Sequence, residues 1–204
     1  TVPSKFVTLS NGTLINQTNN SDGTRTDYWK QDQKHAPYLF FMGVGEFSIV
    51  KDSWNGKDVN YYVEPEYESV AKDIFGKTPE MMTFFSNITG VPYVWDKYSQ
   101  IVVRDYVSGA MENTTAVVHG EDAQQKKGQL IDNNEWEETI AHELFHHWFG
   151  DLVTTESWSN LTVNESFATY SVYLWFEYKY GKDKANAHMY DDVKVYLDSQ
   201  SEAK

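Results

Sequence analysis

The chain has 204 residues, 40% of them hydrophobic and 16% aromatic, and its formal net charge is −13 at pH 7. This composition is typical of a globular protein with a sizeable core, and the negative charge argues against a nucleic-acid partner, because phosphate binding needs a basic face. Since the chain has no cysteine and no apolar run near the roughly 18–20 residues that cross a bilayer, we expect no disulfide, thiolate ligand or membrane segment in it.

The first fifty residues carry strand and turn signals. The sequence SDGT at 21–24 predicts a turn between strands. The apolar, aromatic run at 37–50 predicts two strands across Gly43 and Gly45. The polar stretch at 51–58 predicts a connector, and we place a domain boundary there, between residues 52 and 53.

Beyond residue 58 the pattern becomes one of strands followed by helices. The sequence predicts strands at 59–65 and 99–107 and helices at 66–76, 78–90, 132–150, 161–181 and 183–200, with an apolar stripe at helical spacing in 66–76 and 132–150. Thr78 is the predicted N-cap of its helix, with Pro79 in the first helical position. This order of elements predicts an α+β fold.

The stretch HELFHHWFGD at 142–151 carries the strongest chemical signal. Positions i and i+4 share one face of a helix, so His142 and His146 can turn both imidazoles towards one point. A zinc ion uses such nitrogen ligands and, in a catalytic site, keeps one position for water. Glu143 is rotated about 100° from His142, which places it to accept a proton from that water rather than to bind the metal.

Two histidines leave a catalytic zinc site one protein ligand short. Glu165, 19 positions after His146, can supply the third ligand if its helix packs across the first. Asp151 follows the first helix too closely to fold back easily, and Glu156 is the reserve candidate. His147 points about 100° away from His146, which favours a surface or outer-shell position over ligation.

A solvated helix face could carry the same pattern by chance. Here, however, Leu144 and Phe145 lie between the two histidines, and Ile140 and Trp148 flank them. Bare imidazole rings would be costly to bury in such apolar surroundings without partners. The context therefore favours a metal site.

Three features together resemble the zinc aminopeptidases of the aminopeptidase N (alanyl aminopeptidase) family, which belongs to the gluzincin metallopeptidases. They are HELFHHWFGDLV at 142–153, the 18 residues that separate His146 from the glutamate of NES at 164–166, and GAMEN at 109–113. The resemblance covers roughly residues 37–204. It implies a thermolysin-like core, in which a mixed sheet packs with the helices that carry the zinc motif.

The resemblance also implies roles for individual residues. His142, His146 and Glu165 are the ligands of one zinc ion, and Glu143 is the general base. Glu112 holds the free N-terminal ammonium group of a peptide substrate, a contact that charge-assisted hydrogen bonding favours.

The backbone groups of Gly109 and Ala110 line the peptide in the way that an edge strand does. Without the resemblance, SGAMEN at 108–113 predicts only a turn.

The sequence departs from the family pattern at three points. Ser166 replaces a glycine, and Val172 replaces an outer-shell glutamate whose loss could weaken metal affinity. The tyrosine that stabilises the oxyanion in the family is expected downstream of Lys204. We therefore assign that role to none of the tyrosines at positions 170, 173, 178, 180, 190 and 196.

The resemblance further implies that residues 1–52 are the last strands of an N-terminal β domain and residues 53–204 a catalytic domain truncated at its C-terminal side. We therefore expect a fragment whose partners are the remaining domains of the same protein, and which is weakly active or inactive alone.

The sequence thus predicts a zinc-dependent aminopeptidase that hydrolyses the N-terminal bond of peptides with a free N-terminus. Two alternatives stay open: a thermolysin-like endopeptidase, which shares the metal chemistry, and a catalytically silent zinc-binding or interaction module. The compartment, cytoplasmic or exported, is not predicted.

Overall fold

The structure is a computed structural model that describes residues 1–202; residues 203 and 204, the end of the predicted domain 53–204, lie outside the described residues. Over the described range, ten β-strands form three sheets, and five α-helices follow or connect them. The α+β prediction is confirmed. None of the helices in this range is both long enough and apolar enough to cross a membrane.

Two small antiparallel sheets are built by the first 45 residues. The three-stranded sheet has the order β1 (Val2–Pro3), β4 (Thr24–Lys30) and β3 (Thr13–Asn19), and the two-stranded sheet pairs β2 (Val7–Ser10) with β5 (Met42–Gly45). The turn predicted at 21–24 connects β3 and β4, where the Asp22 carboxylate accepts a hydrogen bond from the Thr24 N–H at 3.0 Å.

A mixed five-stranded sheet forms the centre of the molecule. Its order is β6 (Ser48–Trp54), β7 (Lys57–Val63), β8 (Tyr98–Val103), β10 (Ala116–Gly120) and β9 (Ala110–Met111). The three inner strands run parallel, and the two outer strands pair antiparallel with their neighbours. The sheet ends at β9, so the GAMEN sequence begins on an open edge.

The polar stretch at 51–58 is a β-hairpin, so the predicted connector is wrong. Strands β6 and β7 meet at Asn55 and Gly56, whose φ angles of 46° and 78° match the turn that a right-twisted hairpin favours. The predicted boundary between residues 52 and 53 falls inside β6. The division of the chain into two domains stays a prediction.

The helices are α1 (Ala71–Phe75), α2 (Thr78–Thr89), α3 (Glu137–Phe145), α4 (Thr162–Tyr180) and α5 (Lys182–Glu202). Helix α1 is much shorter than the predicted helix at 66–76, because Pro65–Val70 forms a 3-10 turn. Thr78 is not an N-cap: it lies inside α2, and its hydroxyl donates a hydrogen bond to the Phe75 carbonyl at 2.7 Å. The strand predicted at 99–107 ends at Val103.

Helix α3 is shorter at both ends than the predicted helix at 132–150. At its start, the Asn134 side chain accepts a hydrogen bond from the Trp136 N–H at 3.1 Å and fixes a turn. At its end, the N–H of His146 still donates to the carbonyl of His142 at 3.2 Å, but the next two N–H groups bond three residues back instead of four. The helical relation between His142 and His146 is therefore kept.

The hydrophobic core lies between the five-stranded sheet and helices α1 to α4. Its largest fully buried side chains include Trp95, Trp175, Tyr61, Tyr98, Phe75 and Phe85. Helices α3 and α4 pack directly against each other. This contact places the first turn of α4, which contains Glu165, beside the histidines of α3.

Candidate metal centre

The two histidines of α3 and the first turn of α4 bring three candidate ligand atoms together. The Nε2 atoms of His142 and His146 are 2.9 Å apart, and Glu165 Oε2 lies 3.3 Å from the first and 3.6 Å from the second. A tetrahedral ion with ligands about 2.0–2.1 Å away keeps its ligand atoms about 3.3–3.4 Å apart. The three separations lie around this value, so the donor set fits a zinc ion.

The hydrogen bond of His146 leaves the correct nitrogen free for a metal. Its Nδ1 lies 2.9 Å from the carbonyl oxygen of Phe149, and because a carbonyl only accepts, Nδ1 carries the proton. In the neutral ring Nε2 then has a free lone pair. Burial lowers the pKa of His146, which favours this neutral form.

Gly150 makes room for the same ring. Its φ is 139°, a conformation that side chains rarely adopt, and an added Cβ would lie 3.1 Å from both His146 Nδ1 and the His146 carbonyl oxygen. The sequence WFGD therefore places glycine where the chain folds back against His146, a candidate ligand.

Glu143 faces the same centre from inside the protein. Its side chain is buried, and its Oε2 atom has no hydrogen-bond partner among the described residues. Burial, followed by the charges of Glu112 and Glu165, raises the pKa of Glu143 well above its usual value. An unpartnered buried carboxylate oxygen next to two histidines is suited to binding a reactant or a water molecule.

Glu112 lies beside the same centre. It follows β9 directly, is 6% exposed, and its carboxylate belongs to a second group with Glu143 and His146, whose donor atoms all lie within 4.8 Å of one another. His146 is thus shared by this group and by the group that contains Glu165.

The backbone groups of Gly109 and Ala110 differ in availability. The carbonyl of Gly109 accepts the N–H of Gly120 at 2.8 Å, so it is already used within the sheet. Backbone groups alternate in direction along an antiparallel strand, so those of Ala110 point to the open edge of β9.

The loop after Glu112 is fixed by contacts from the N-terminal strands and from α3. Thr115 has a φ of 65°, unusual for a β-branched residue. Its hydroxyl accepts the N–H of Gly12 at 2.8 Å, its carbonyl accepts Lys97 Nζ at 2.8 Å, and its own N–H donates to His147 Nε2 at 3.0 Å. Such strain persists only where the surroundings hold it.

His147 is buried, which excludes the surface position but leaves the other predicted position, in the outer shell, and it is not part of either donor group. Burial lowers the pKa of His147 to about 3. Asp151 lies beside it, with Oδ2 3.5 Å from His147 Nε2, and is likewise in neither donor group. The reserve ligand Glu156 is exposed in the loop before α4 and is in neither donor group.

The two substituted positions of the motif region have different surroundings. Ser166 lies within α4, where no glycine is needed. Val172 is buried and lines a cavity of about 220 Å³ together with His142, Glu138 and Asp192. No carboxylate from position 172 can therefore support the His142 ring.

Sequence reasoning missed Tyr38, whose hydroxyl lies 3.3 Å from Glu112 Oε1. The two residues are 74 positions apart, and Tyr38 lies in a stretch that reads as ordinary apolar strand sequence. No local pattern could have indicated this contact.

Comparison with known proteins agrees with this geometry. Residues 74–204, which include both histidines and Glu165, match the Peptidase family M1 domain. The chain belongs to peptidase family M1. M1 peptidases are generally zinc-dependent, in agreement with the donor set described above.

Three M1 relatives show how far the similarity extends. Aminopeptidase M1-B of Oryza sativa subsp. japonica is 32% identical over 86% of this chain and 20% of the relative. Tricorn protease-interacting factor F2 of Thermoplasma acidophilum is 36% identical over 69% of this chain and 18% of the relative. Glutamyl aminopeptidase of Sus scrofa is 33% identical over 72% of this chain and 17% of the relative. The chain thus spans about a fifth of the length of these relatives.

Proposed function

We propose that the full-length protein is a zinc aminopeptidase that removes the N-terminal residue of peptides, and that this chain contributes its metal-binding core. We further propose that the five-stranded sheet with α3 and α4 is a thermolysin-like core that holds one zinc ion. The observation that carries the proposal is that two groups of donor atoms share His146. The first, with His142 and Glu165, has the composition of a zinc site, and the second adds the carboxyl groups of Glu112 and Glu143.

His142, His146 and Glu165 would hold the ion through Nε2, Nε2 and Oε2. When bound, zinc in such a site supplies Lewis-acid chemistry, because it polarises a carbonyl group and lowers the pKa of water. The carboxyl groups of Glu112, Glu143 and Glu165 beside the two imidazoles form a donor set that favours a divalent cation at this point.

Glu143 would act as general base and then as general acid. Its Oε2 atom accepts a proton from the attacking water and delivers it to the nitrogen of the leaving amine, so the carboxylate is regenerated. Among the described residues Oε2 has no hydrogen-bond partner, which supports this role because the oxygen stays available to the water.

Glu112 would bind the free ammonium group of the substrate. A buried carboxylate forms strong charge-assisted hydrogen bonds with an ammonium group, and this one lies within 4.8 Å of the nearest donor atoms of Glu143 and His146. The distance leaves room for about one residue between the amine and the bond that is cut. The N–H and C=O of Ala110 would pair with the extended substrate along the edge of β9.

The test uses the zinc-loaded full-length protein and a panel of aminoacyl amides, each with a free and with an acetylated amine. We expect release of the amino acid from the free-amine compounds alone. Glu143→Gln should lower kcat by about 10²- to 10⁴-fold with zinc retained, as expected for loss of a general base.

Glu112→Ala separates the aminopeptidase from an endopeptidase. It should strongly reduce turnover of free-amine substrates, whereas an endopeptidase would be little affected and would also cut acetylated peptides. Glu135→Gln, which changes an exposed glutamate outside the site, is the matched control. Absence of any amino-acid release by the wild-type protein would refute the proposal.

A further inference from the structure

Tyr38 forms hydrogen bonds to two residues beside the candidate metal centre, Glu112 and Asn164. It lies half-buried in the 3-10 turn Pro37–Leu39, far from the motifs in sequence. Its hydroxyl oxygen is 3.3 Å from Glu112 Oε1 and 3.1 Å from Nδ2 of Asn164, the residue directly before the third candidate ligand Glu165. One phenol thus touches both the end of β9 and the first turn of α4.

The direction of these hydrogen bonds follows from their partners. The N–H of Thr155 donates to Asn164 Oδ1 at 3.1 Å, and since a backbone N–H only donates, the amide oxygen must face it. The Nδ2 group of Asn164 therefore faces Tyr38 and donates to the hydroxyl oxygen. The single proton of the hydroxyl is left for Glu112.

The surroundings keep this chain of hydrogen bonds in place. Asn164 is fully buried and Glu112 is 6% exposed, so water does not compete freely for either group. The ring of Trp158 packs edge-on against Tyr38, with ring centroids 5.0 Å apart. Burial, followed by the charge of Glu112, raises the pKa of Tyr38, so the phenol keeps its proton.

We propose that Tyr38 is a positioning residue, which orients the Glu112 carboxylate relative to the metal ligand Glu165 and so sets the distance between the substrate amine and the metal. This inference rests on the proposed function, in which Glu112 binds the amine. With Oε1 held by the phenol, Oε2 is free for the ammonium group. Tyr38 itself touches no reacting atom.

The test measures binding of two small metal-chelating probes to the zinc-loaded full-length protein by isothermal titration calorimetry. The probes are alanine hydroxamate and propionohydroxamate, which differ only in the amine. Their affinity ratio reports the amine contact, while propionohydroxamate alone reports the metal. For Tyr38→Phe we expect the ratio to fall about tenfold, the size of one lost hydrogen bond to a charged group, with unchanged affinity for propionohydroxamate.

Kinetics provide a second readout. Tyr38→Phe should raise KM for an alanyl amide substrate about tenfold on the same grounds and leave kcat nearly unchanged. The matched control is Tyr173→Phe, which also removes the hydroxyl of a half-buried tyrosine near an asparagine, 3.4 Å from Asn186 Oδ1, but outside both donor groups. The control should keep the wild-type ratio and KM.

Three results would overturn the inference. An unchanged ratio in Tyr38→Phe would show that the phenol does not position Glu112. An equal loss of affinity for both probes would show a general disturbance of the metal site instead. If the wild-type protein does not prefer alanine hydroxamate at all, Glu112 does not bind the amine, and the proposed function fails together with the inference.

Discussion

Replacing Gly150 by alanine is expected to weaken metal binding through the His146 ring. The added Cβ would lie 3.1 Å from Nδ1 of that ring, in a backbone conformation with φ of 139°. Such strain costs about 1–3 kcal/mol. Moving the ring to relieve the contact would also break its hydrogen bond to Phe149, worth about 1 kcal/mol.

We therefore expect the free energy of unfolding of the zinc-free protein to fall by about 2–4 kcal/mol. We also expect the zinc affinity to fall about 10- to 100-fold, as for the loss of an outer-shell partner of a ligand. Unfolding is measured by circular dichroism in guanidinium chloride, and zinc affinity by competition with a chromophoric chelator.

Gly56→Ala is the control that separates the effect of backbone strain from the effect of the contact with the His146 ring. Its φ is 78°, but an added Cβ would meet no atom within 4 Å, so this variant should lose about 1–2 kcal/mol of stability and no zinc affinity. If Gly150→Ala kept the wild-type zinc affinity, the reasoning that Gly150 orients the His146 ring would be refuted.

Three further predictions concern the core, a buried amine and the outer shell of the metal. Phe85→Ala removes a fully buried side chain and should cost about 3–5 kcal/mol in denaturant unfolding; a cost below 1 kcal/mol would contradict the packing described. Burial lowers the pKa of Lys97 from 10.5 to about 7, so the unfolded chain binds a proton that the folded chain lacks, and stability should rise with pH between these values. Lys97→Met should remove up to about 1.4 kcal/mol per pH unit from that slope, and an identical slope would refute the assignment. Val172→Glu should tighten zinc binding about tenfold by supporting the His142 ring; chelator competition showing unchanged or weaker binding would contradict it.

The sequence predicts the type of most elements correctly, but several of their boundaries are wrong. Helices α4 and α5 follow their predicted ranges closely, because neither contains a proline or an interior glycine and Gly181 separates them, which are local features of the sequence. The hairpin at 51–58 was missed, since a polar two-residue turn between alternating strands reads like a connector until its partner strand is seen. Helix α3 ends at Phe145, and the carbonyl groups beyond it accept hydrogen bonds from outside the helix, from the Asp151 N–H at His146 and from the distant Trp95 indole at His147.

In the candidate metal centre, too, some residues are placed by local helix geometry and others only by tertiary packing. His142, Glu143 and His146 are set in relation to one another by helix geometry alone, so their spacing in the sequence was sufficient. For Glu112 and Glu165, the sequence offered candidates through the motifs that contain them. Only the packing of α3 against α4 and the position of β9 at the sheet edge place them near the histidines.

The sequence by itself determined the fold class and the pair of imidazoles, because residues within one helical turn are placed by backbone hydrogen bonds that every helix forms. The tertiary structure alone decided which distant groups join them. It buried His147 and Asp151 outside both donor groups, exposed Glu156, and brought Tyr38 to Glu112. These outcomes depend on burial and on contacts between residues far apart in the sequence. Tyr38, for example, contacts residues 74 and 126 positions away, and no local pattern encodes such contacts.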